Sequence, residues 1–202
     1  MKIIIIGGVA AGASAAARLR RLYEKSEILL LEKGEFISYA NCGLPYHLGK
    51  VIEDRDDLLV MSPEKFSAWL NVEVRTRHEV IAINPAKKQV TAKTPDGERV
   101  FPYDKLLLAT GAVPNSSGNV SPGILPLWTI GDMDRIADRL EGAKSAIVVG
   151  AGFVGLETAE NLRGRGLAVT IIQRGDHVLP TMDPEMSGAL ADELADMGIT
   201  LK

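Results

Sequence analysis

Ile3-Ile4-Ile5-Ile6-Gly7-Gly8-Val9-Ala10-Ala11-Gly12 decides the fold of this chain. The β-branched run predicts a strand, the glycines end it, and the small residues that follow lead into a helix to about Tyr23. Along that helix Ala15, Ala16, Leu19, Leu22 and Tyr23 recur at helical spacing, while Ser14, Arg18 and Arg21 fall together on another face. A second strand, Ile28 to Leu31, ends in Glu32, about 20 residues after Gly12. This is the arrangement that binds a dinucleotide: small residues let the backbone approach a pyrophosphate at the helix N-terminus, and the strand-end carboxylate accepts hydrogen bonds from a ribose. Val9 stands where the usual G-x-G-x-x-G has its middle glycine, so a tight turn without a ligand remains the alternative for this segment.

The pattern returns later in the chain. Ile147-Val148-Val149 predicts a strand, Gly150-Ala151-Gly152-Phe153-Val154-Gly155 is a full G-x-G-x-x-G, a helix runs to about Arg163, and Val169 to Ile172 is the next strand. Two such units in one chain are far less probable as structural accidents than one. Between them, Glu53-Asp54-Arg55-Asp56-Asp57 reads as a solvated loop, and Ser62-Pro63-Glu64 opens a short helix through Leu70 with Ser62 as N-cap and Trp69 in the core. From Val72 to Val100 the pattern alternates (Val80, Ala82, Val90, Ala92) around a Pro95-Asp96-Gly97 turn, predicting a small antiparallel meander. Leu106-Leu107-Leu108 reads as a buried strand leading to Ala109-Thr110-Gly111, and the stretch from Val113 to Pro126 as a linker. Trp128 and the methionines read as packing. The fold class expected is α/β: two Rossmann-like dinucleotide-binding βαβ units, the first with an antiparallel β-meander insertion, the second incomplete.

Composition sets the outer limits. The chain has 202 residues, 46% of them hydrophobic and 24% charged, with a formal net charge of -3. That charge gives no electrostatic footprint for nucleic acid or an anionic membrane surface, so neither partner is expected. The apolar run at the N-terminus is too short for a signal-peptide core, and no run approaches the ~20 residues of a membrane span, which predicts a cytoplasmic protein. His47, His78 and His177 lack metal-ligand spacing, and no metal is expected.

The one cysteine lies in Ser38-Tyr39-Ala40-Asn41-Cys42-Gly43-Leu44-Pro45-Tyr46-His47-Leu48-Gly49. A single Cys rules out an internal disulfide. By default such a residue is a small buried hydrophobe. Pro45, lacking an N–H, suits the first turn of a helix and puts the helix start near Asn41 or Cys42, where a thiolate would be stabilised. Two dinucleotide units commonly hold a flavin and a nicotinamide cofactor and pass hydride between them, and Cys42 would then be a third redox station.

The combination of "GGVAAGASAAARLRRL", "LLLEKGEFISYANCGLPYHLG", "LLLATGA" and "VVGAGFVGLETAENLRGRG" resembles the pyridine nucleotide-disulfide oxidoreductase superfamily. More narrowly, it is similar to the single-cysteine branch of coenzyme A disulfide reductases, persulfide reductases, NADH oxidases and NADH peroxidases. His47 stands where glutathione reductase-like members carry a second Cys, which excludes a dithiol mechanism. Ala10 stands where oxidases and peroxidases have a histidine, which favours the coenzyme A disulfide type over an NADH oxidase or peroxidase.

The resemblance implies that Cys42 cycles between a thiolate and a mixed disulfide with coenzyme A, reducing coenzyme A disulfide or a related persulfide or polysulfide. Ser14, Arg18, Arg21, Ser38 and Asn41 match places that contact the coenzyme A. From the residues themselves, Arg18 and Arg21 on one helix face suit the phosphates of that nucleotide, with a solvated basic face as the alternative. FAD would lie on Gly7, Gly8, Ala11 and Gly12 with Glu32 on its ribose and Lys33 beside it, and with Val80, Thr110 and Gly111 nearby by resemblance. NADPH or NADH would use Gly150, Gly152, Phe153, Val154 and Gly155, with Glu157 close. Gln173 followed by Arg174, where NAD binders carry an acid, leans toward NADPH. The division expected is an FAD-binding domain over 1–114 and a truncated NAD(P)-binding domain over 115–202. Family members are much longer and dimerise through a C-terminal domain, so the resemblance implies that this chain is an N-terminal portion of a homodimeric enzyme. The alternative is a dinucleotide-binding fragment without turnover.

Overall fold

A computed structural model describes residues 1–115 and 123–202. The central part of the expected linker, 116–122, lies outside the described residues. The first half of the chain forms β1 (Lys2–Ile6), α1 (Ala11–Leu22), β2 (Glu27–Leu31), α2 (Leu44–Leu48), α3 (Pro63–Leu70), β3 (Glu73–Arg75), β4 (Glu79–Asn84), β5 (Gln89–Thr94), β6 (Gly97–Pro102) and β7 (Lys105–Leu108). There follow α4 (Ile130–Leu140), β8 (Ser145–Val149), α5 (Phe153–Gly164), β9 (Ala168–Ile172), α6 (Pro184–Asp196) and β10 (Thr200–Leu201). These elements fall into two compact units, one of Met1–Ala40 with Leu59–Val113, the other of Asn41–Leu58 with Pro114–Lys202.

In the first unit β1 is central in a four-stranded parallel sheet of order β3-β2-β1-β7, with Ile3 opposite Ile28 and Ile6 opposite Leu31. Ile3 and Ile5 face Ala13 and Ala16 of α1 together with Phe66 and Val72, whereas Ile4 and Ile6 face Val90, Ala92 and Phe101 of a three-stranded antiparallel sheet, β4-β5-β6. Both faces of β1 are therefore covered, which is why its sequence is an unbroken apolar run instead of an alternation. Removing Ile4 or Leu30 to the β-carbon would cost about 2–5 kcal/mol, since both are fully buried. Ser62 caps α3 as expected, its Oγ accepting from the Lys65 N–H at 3.3 Å.

Several side-chain expectations are corrected. The buried face of α1 is Gly12, Ala13 and Ala16, while Leu22 and Tyr23 at its end are exposed. The meander begins at Glu79; residues Glu73–Arg75 instead pair parallel with β2 and extend the main sheet. Leu106-Leu107-Leu108 forms an edge strand with Leu108 exposed. Trp69 is 75% exposed and Trp128 is also exposed, so neither is core; of the methionines, Met133 is fully buried but Met1 and Met186 are exposed.

The second unit repeats the βαβ theme: β8, α5, β9, α6 and β10 give a parallel sheet of order β10-β9-β8. Thr129 and Asp132 form a capping box that starts α4. Arg55, in the loop expected to be solvated, is half-buried and bonded to α4, while Glu53, Asp54, Asp56 and Asp57 around it are exposed. Among the described residues no helix is long and apolar enough to cross a membrane.

Candidate functional site

The two glycine-rich turns are built alike. Gly7 and Gly150 take φ of +97° and +101°, and each donates its N–H to the last residue of the neighbouring strand, Leu31 or Ile172, at 2.8 Å. A β-carbon on Gly12 would lie 1.8 Å from the Gly7 carbonyl oxygen, and one on Gly155 would lie 2.0 Å from that of Gly150, so the last glycine of each turn exists to let helix and strand approach. A β-carbon on Gly8 would press on Ile37 and Leu30 at 2.7 and 2.8 Å. Gly152 differs: nothing lies within 4 Å of where its β-carbon would stand, so packing of the protein does not require glycine there. That open cradle fits a nucleotide backbone approaching the second turn. Neither α1 nor α5 has a side-chain cap or an acid in its first turn, which leaves their leading N–H groups available to an anion.

At the strand ends the likeness continues with one change of chemistry. Glu32 is only 8% exposed; one carboxylate oxygen accepts from the Gly8 N–H and the other from the Gly34 N–H, both at 2.7 Å. Gln173 occupies the corresponding place in the second unit, its Oε1 accepting from the Ala151 N–H at 3.0 Å. Ala11 and Lys33 are exposed beside the first turn, Val80 is half-buried on β4, and Thr110 and Gly111 are exposed beyond β7, Gly111 with φ +65°. At the second turn Phe153 and Val154 are exposed at the start of α5. Glu157 lies one turn on and is half-buried, and Arg174 is exposed after β9.

A cleft of about 470 Å³ opens in the first unit; its lining includes Ser14 and Arg21 of α1, Ser38, and the apolar Val60, Met61, Phe66, Trp69 and Leu70. Arg18 is exposed on the same helix but does not line it. Arg20 is committed to structure, donating to the carbonyls of Glu24, Ser26, Leu70 and Asn71. Asn41, the fifth residue matched to coenzyme A, belongs to the second unit. The wall containing Trp69 is absent from the sequence expectations because Phe66, Trp69 and Leu70 share a helical stripe, the ordinary signature of core. Only Phe66 is fully turned inward.

Cys42 is exposed on a 3-10 turn, Asn41–Gly43, that runs directly into α2 with Pro45 in its first turn. The buried-hydrophobe alternative therefore does not hold for its side chain. The segment 41–58 is tied down within its own unit: Arg55 donates twice to Asp134 of α4, both bonds 2.8 Å, and Arg165 of α5 donates to the Leu48 carbonyl at 3.1 Å. A β-carbon on Gly49 would come 2.3 Å from Asn161 Oδ1, so glycine lets α2 close on α5. The hydrogen bond from Arg55 holds the Asp134 carboxyl below the usual carboxylate range against the opposing effect of burial, and the Arg55 guanidinium is correspondingly raised. His47, in the place of a second cysteine, bonds through Nδ1 to the Ile52 carbonyl oxygen at 2.8 Å. No group of three or more His, Cys, Asp or Glu suited to a metal occurs among the described residues.

A family model for the pyridine nucleotide-disulphide oxidoreductases matches residues 1–202. The chain belongs to that family. Among curated relatives, the coenzyme A disulfide reductase of Staphylococcus haemolyticus is 44% identical over 197 residues, 96% of this chain and 45% of the relative. The oxidoreductase chain thus spans about half the length of the curated relatives it matches. Among solved structures, reduced Bacillus anthracis CoADR-RHD superposes with a TM-score of 0.92 at 39% identity, covering 99% of this chain and 37% of that one. An NAD-dependent persulfide reductase from A. fulgidus gives 0.94 at 33% identity, covering 100% and 39%. The α/β architecture with its parallel sheets and antiparallel insertion is that of these pyridine nucleotide oxidoreductases.

Proposed function

We propose that this chain is the cofactor- and thiol-bearing portion of an FAD-dependent NAD(P)H:disulfide oxidoreductase, acting on coenzyme A disulfide or a coenzyme A persulfide or polysulfide through Cys42. The observation that carries the reading is the cleft in the first unit, whose lining combines a guanidinium and two hydroxyls (Arg21, Ser14, Ser38) with apolar and aromatic side chains. That pairing suits a molecule with phosphates, an adenine and an amide arm. Arg18 and Asn41, which do not line the cleft, are proposed as coenzyme A residues on the resemblance alone. The single exposed thiol supports the chemistry.

FAD would be held by Gly7, Gly8, Ala11, Gly12, Glu32 and Lys33, with Val80, Thr110 and Gly111 beside it; the uncapped α1 would meet its pyrophosphate and the Glu32 carboxylate its ribose. The nicotinamide nucleotide would use Gly150, Gly152, Phe153, Val154, Gly155, Glu157 and Arg174. When bound, the two cofactors supply an electron pair from the nicotinamide. The Cys42 thiolate attacks one sulfur of the substrate disulfide; the S–S bond breaks, one coenzyme A leaves as thiolate and a Cys42–coenzyme A disulfide forms. The electron pair then reduces that mixed disulfide, releasing the second coenzyme A as thiolate and regenerating Cys42. In sum, one NAD(P)H and one proton convert one disulfide to two thiols. A cytoplasmic location and a homodimeric full-length form go with this reading.

The intact mass of the purified chain before and after mild reduction, with its visible spectrum, tests it. A loss equal to one coenzyme A, absent in Cys42→Ser, together with flavin absorbance is the expected result. A colourless protein of unchanged mass that binds nucleotide would replace the proposal with a dinucleotide-binding module. Oxygen consumption with NAD(P)H that survives Cys42→Ser would point to an oxidase.

A further inference from the structure

We propose that Asn161 and Arg165 of α5 are positioning residues for Cys42, joining the thiol-bearing segment to the second glycine turn so that a nucleotide in that turn stabilises the segment. The inference rests on the reading of that turn as the nicotinamide site. The segment Asn41–Leu58 belongs to the second unit, although the residues on either side of it in sequence, Met1–Ala40 and Leu59–Val113, form the first. Cys42 lies on the Asn41–Gly43 turn, from which the chain runs directly into α2. With five residues, α2 is far too short to persist on its own hydrogen bonds, so its place is set by what it packs on.

It packs on α5. A β-carbon on Gly49 would lie 2.3 Å from Asn161 Oδ1 and 2.8 Å from Asn161 Cβ, so glycine at the end of α2 lets the helices close. Asn161 is 6% exposed and is itself fixed, its Nδ2–H donating to the Glu157 carbonyl at 2.8 Å. Arg165, the C-cap of α5, donates to the Leu48 carbonyl at 3.1 Å, an acceptor that the last turn of α2 leaves open. At the far end of the segment Arg55 donates twice to Asp134 of α4, in the same unit. The opposite end of α5 is the second glycine turn: Gly152 is its N-cap, no side chain caps it, and Gly155 closes on the Gly150 carbonyl. Turn and Arg165 are thus the two ends of one helix, about 18 Å apart at 1.5 Å per residue. A ligand of the turn stabilises, by mass action, every segment whose opening also opens the turn. Cys42 is therefore held most firmly when the nucleotide that supplies its electrons is in place.

The test is amide hydrogen exchange of the 202-residue chain without and with NAD⁺ or NADP⁺, neither of which delivers electrons to the thiol. The amides of Gly49, Lys50, Val51 and Ile52, all bonded to carbonyls of α2, report on the segment. At nucleotide about 100 times its Kd, these amides and those of α5 are expected to slow together, by up to about 100-fold, while Ile5 and Leu30 of the first unit change by less than about twofold. Arg165→Ala should keep the slowing on α5 and reduce that at 49–52 at least about threefold, and Arg165→Lys, which retains a donor, should restore it. Gly49→Ala, which separates the helices, should abolish it at 49–52 alone. A purely structural Arg165 would change exchange equally with and without nucleotide, and that result overturns the proposal. So does slowing on α5 that never reaches 49–52, which leaves the nicotinamide site standing. No slowing anywhere with either nucleotide overturns the site itself and the positioning with it.

Discussion

The turn after β1 and the turn after β8 share a left-handed first glycine and a tightly packed last one, and differ in the freedom left between them. Around Gly7, Gly8 and Gly12 every added β-carbon would collide with protein atoms; around Gly150, Gly152 and Gly155 only the last would. Beneath the first lies a buried carboxylate bonded on both oxygens, beneath the second a neutral amide bonded through one. The first turn is thus fixed by its own protein, whereas the second leaves open space beside Gly150 and Gly152 and an amide bonded to the turn through its oxygen alone. A glycine motif read as one signal contains two kinds of glycine, those the protein packs against and those it leaves open.

Substitutions separate the two kinds, and the largest effect belongs to the first. Gly12→Ala puts a methyl within 1.8 Å of a backbone oxygen and should destabilise the protein by several kcal/mol, about the range of severe overpacking, with loss of any flavin absorbance; thermal unfolding with the visible spectrum reads both. Gly152→Ala, by contrast, should shift stability by less than about 1 kcal/mol and yet weaken NAD(P)H binding about tenfold or more. Equal melting losses in the two variants would erase the distinction drawn above.

Next in size is the carboxylate. Glu32→Gln can still accept from Gly8 but sets an amide donor against the Gly34 N–H, and should cost about 1–3 kcal/mol in denaturant unfolding. Trp69→Ala should leave stability within about 0.5 kcal/mol, since the side chain is 75% exposed, while weakening coenzyme A binding to the cleft by about 1 kcal/mol, which calorimetry would register. An unchanged affinity would remove the aromatic wall from the proposed site.

The smallest effect concerns the tether of the Cys42 segment. The Asp134 carboxyl is depressed in the folded state by Arg55, so the stability it contributes is full above the carboxylate range of the unfolded chain, about pH 4, and is lost as pH falls through the lower folded value. Because both partners are about a third exposed, solvent screening limits the pair to about 1 kcal/mol. Unfolding measured from pH 7 down should therefore show a steeper decline for the unaltered protein than for Asp134→Asn. Parallel curves would mean that the pair is indifferent to the fold.

The strand, turn, helix and strand of each unit were legible from Ile3 to Leu31 and from Ile147 to Ile172 because an unbroken apolar run, glycines at fixed spacing and a helical period are local facts. The N-cap at Ser62 and the strand-end residues Glu32 and Gln173 belong with them, being set by chain neighbours. What the sequence could not decide is which side of an element meets protein and which meets solvent. Phe66, Trp69 and Leu70 carry one periodicity, but the cleft beside α1 leaves Trp69 outside. Arg55 sits in a run of charges like any solvated loop, and only the return of Asp134, far along the chain, gives it a partner. Glu73–Arg75 continue the spacing of the meander, yet the open edge of β2 takes them into the main sheet. Local pattern fixes the conformation of a segment; its surroundings come from contacts between residues distant in sequence, and so burial, pairing and the opening of the cleft were determined only when the chain had folded.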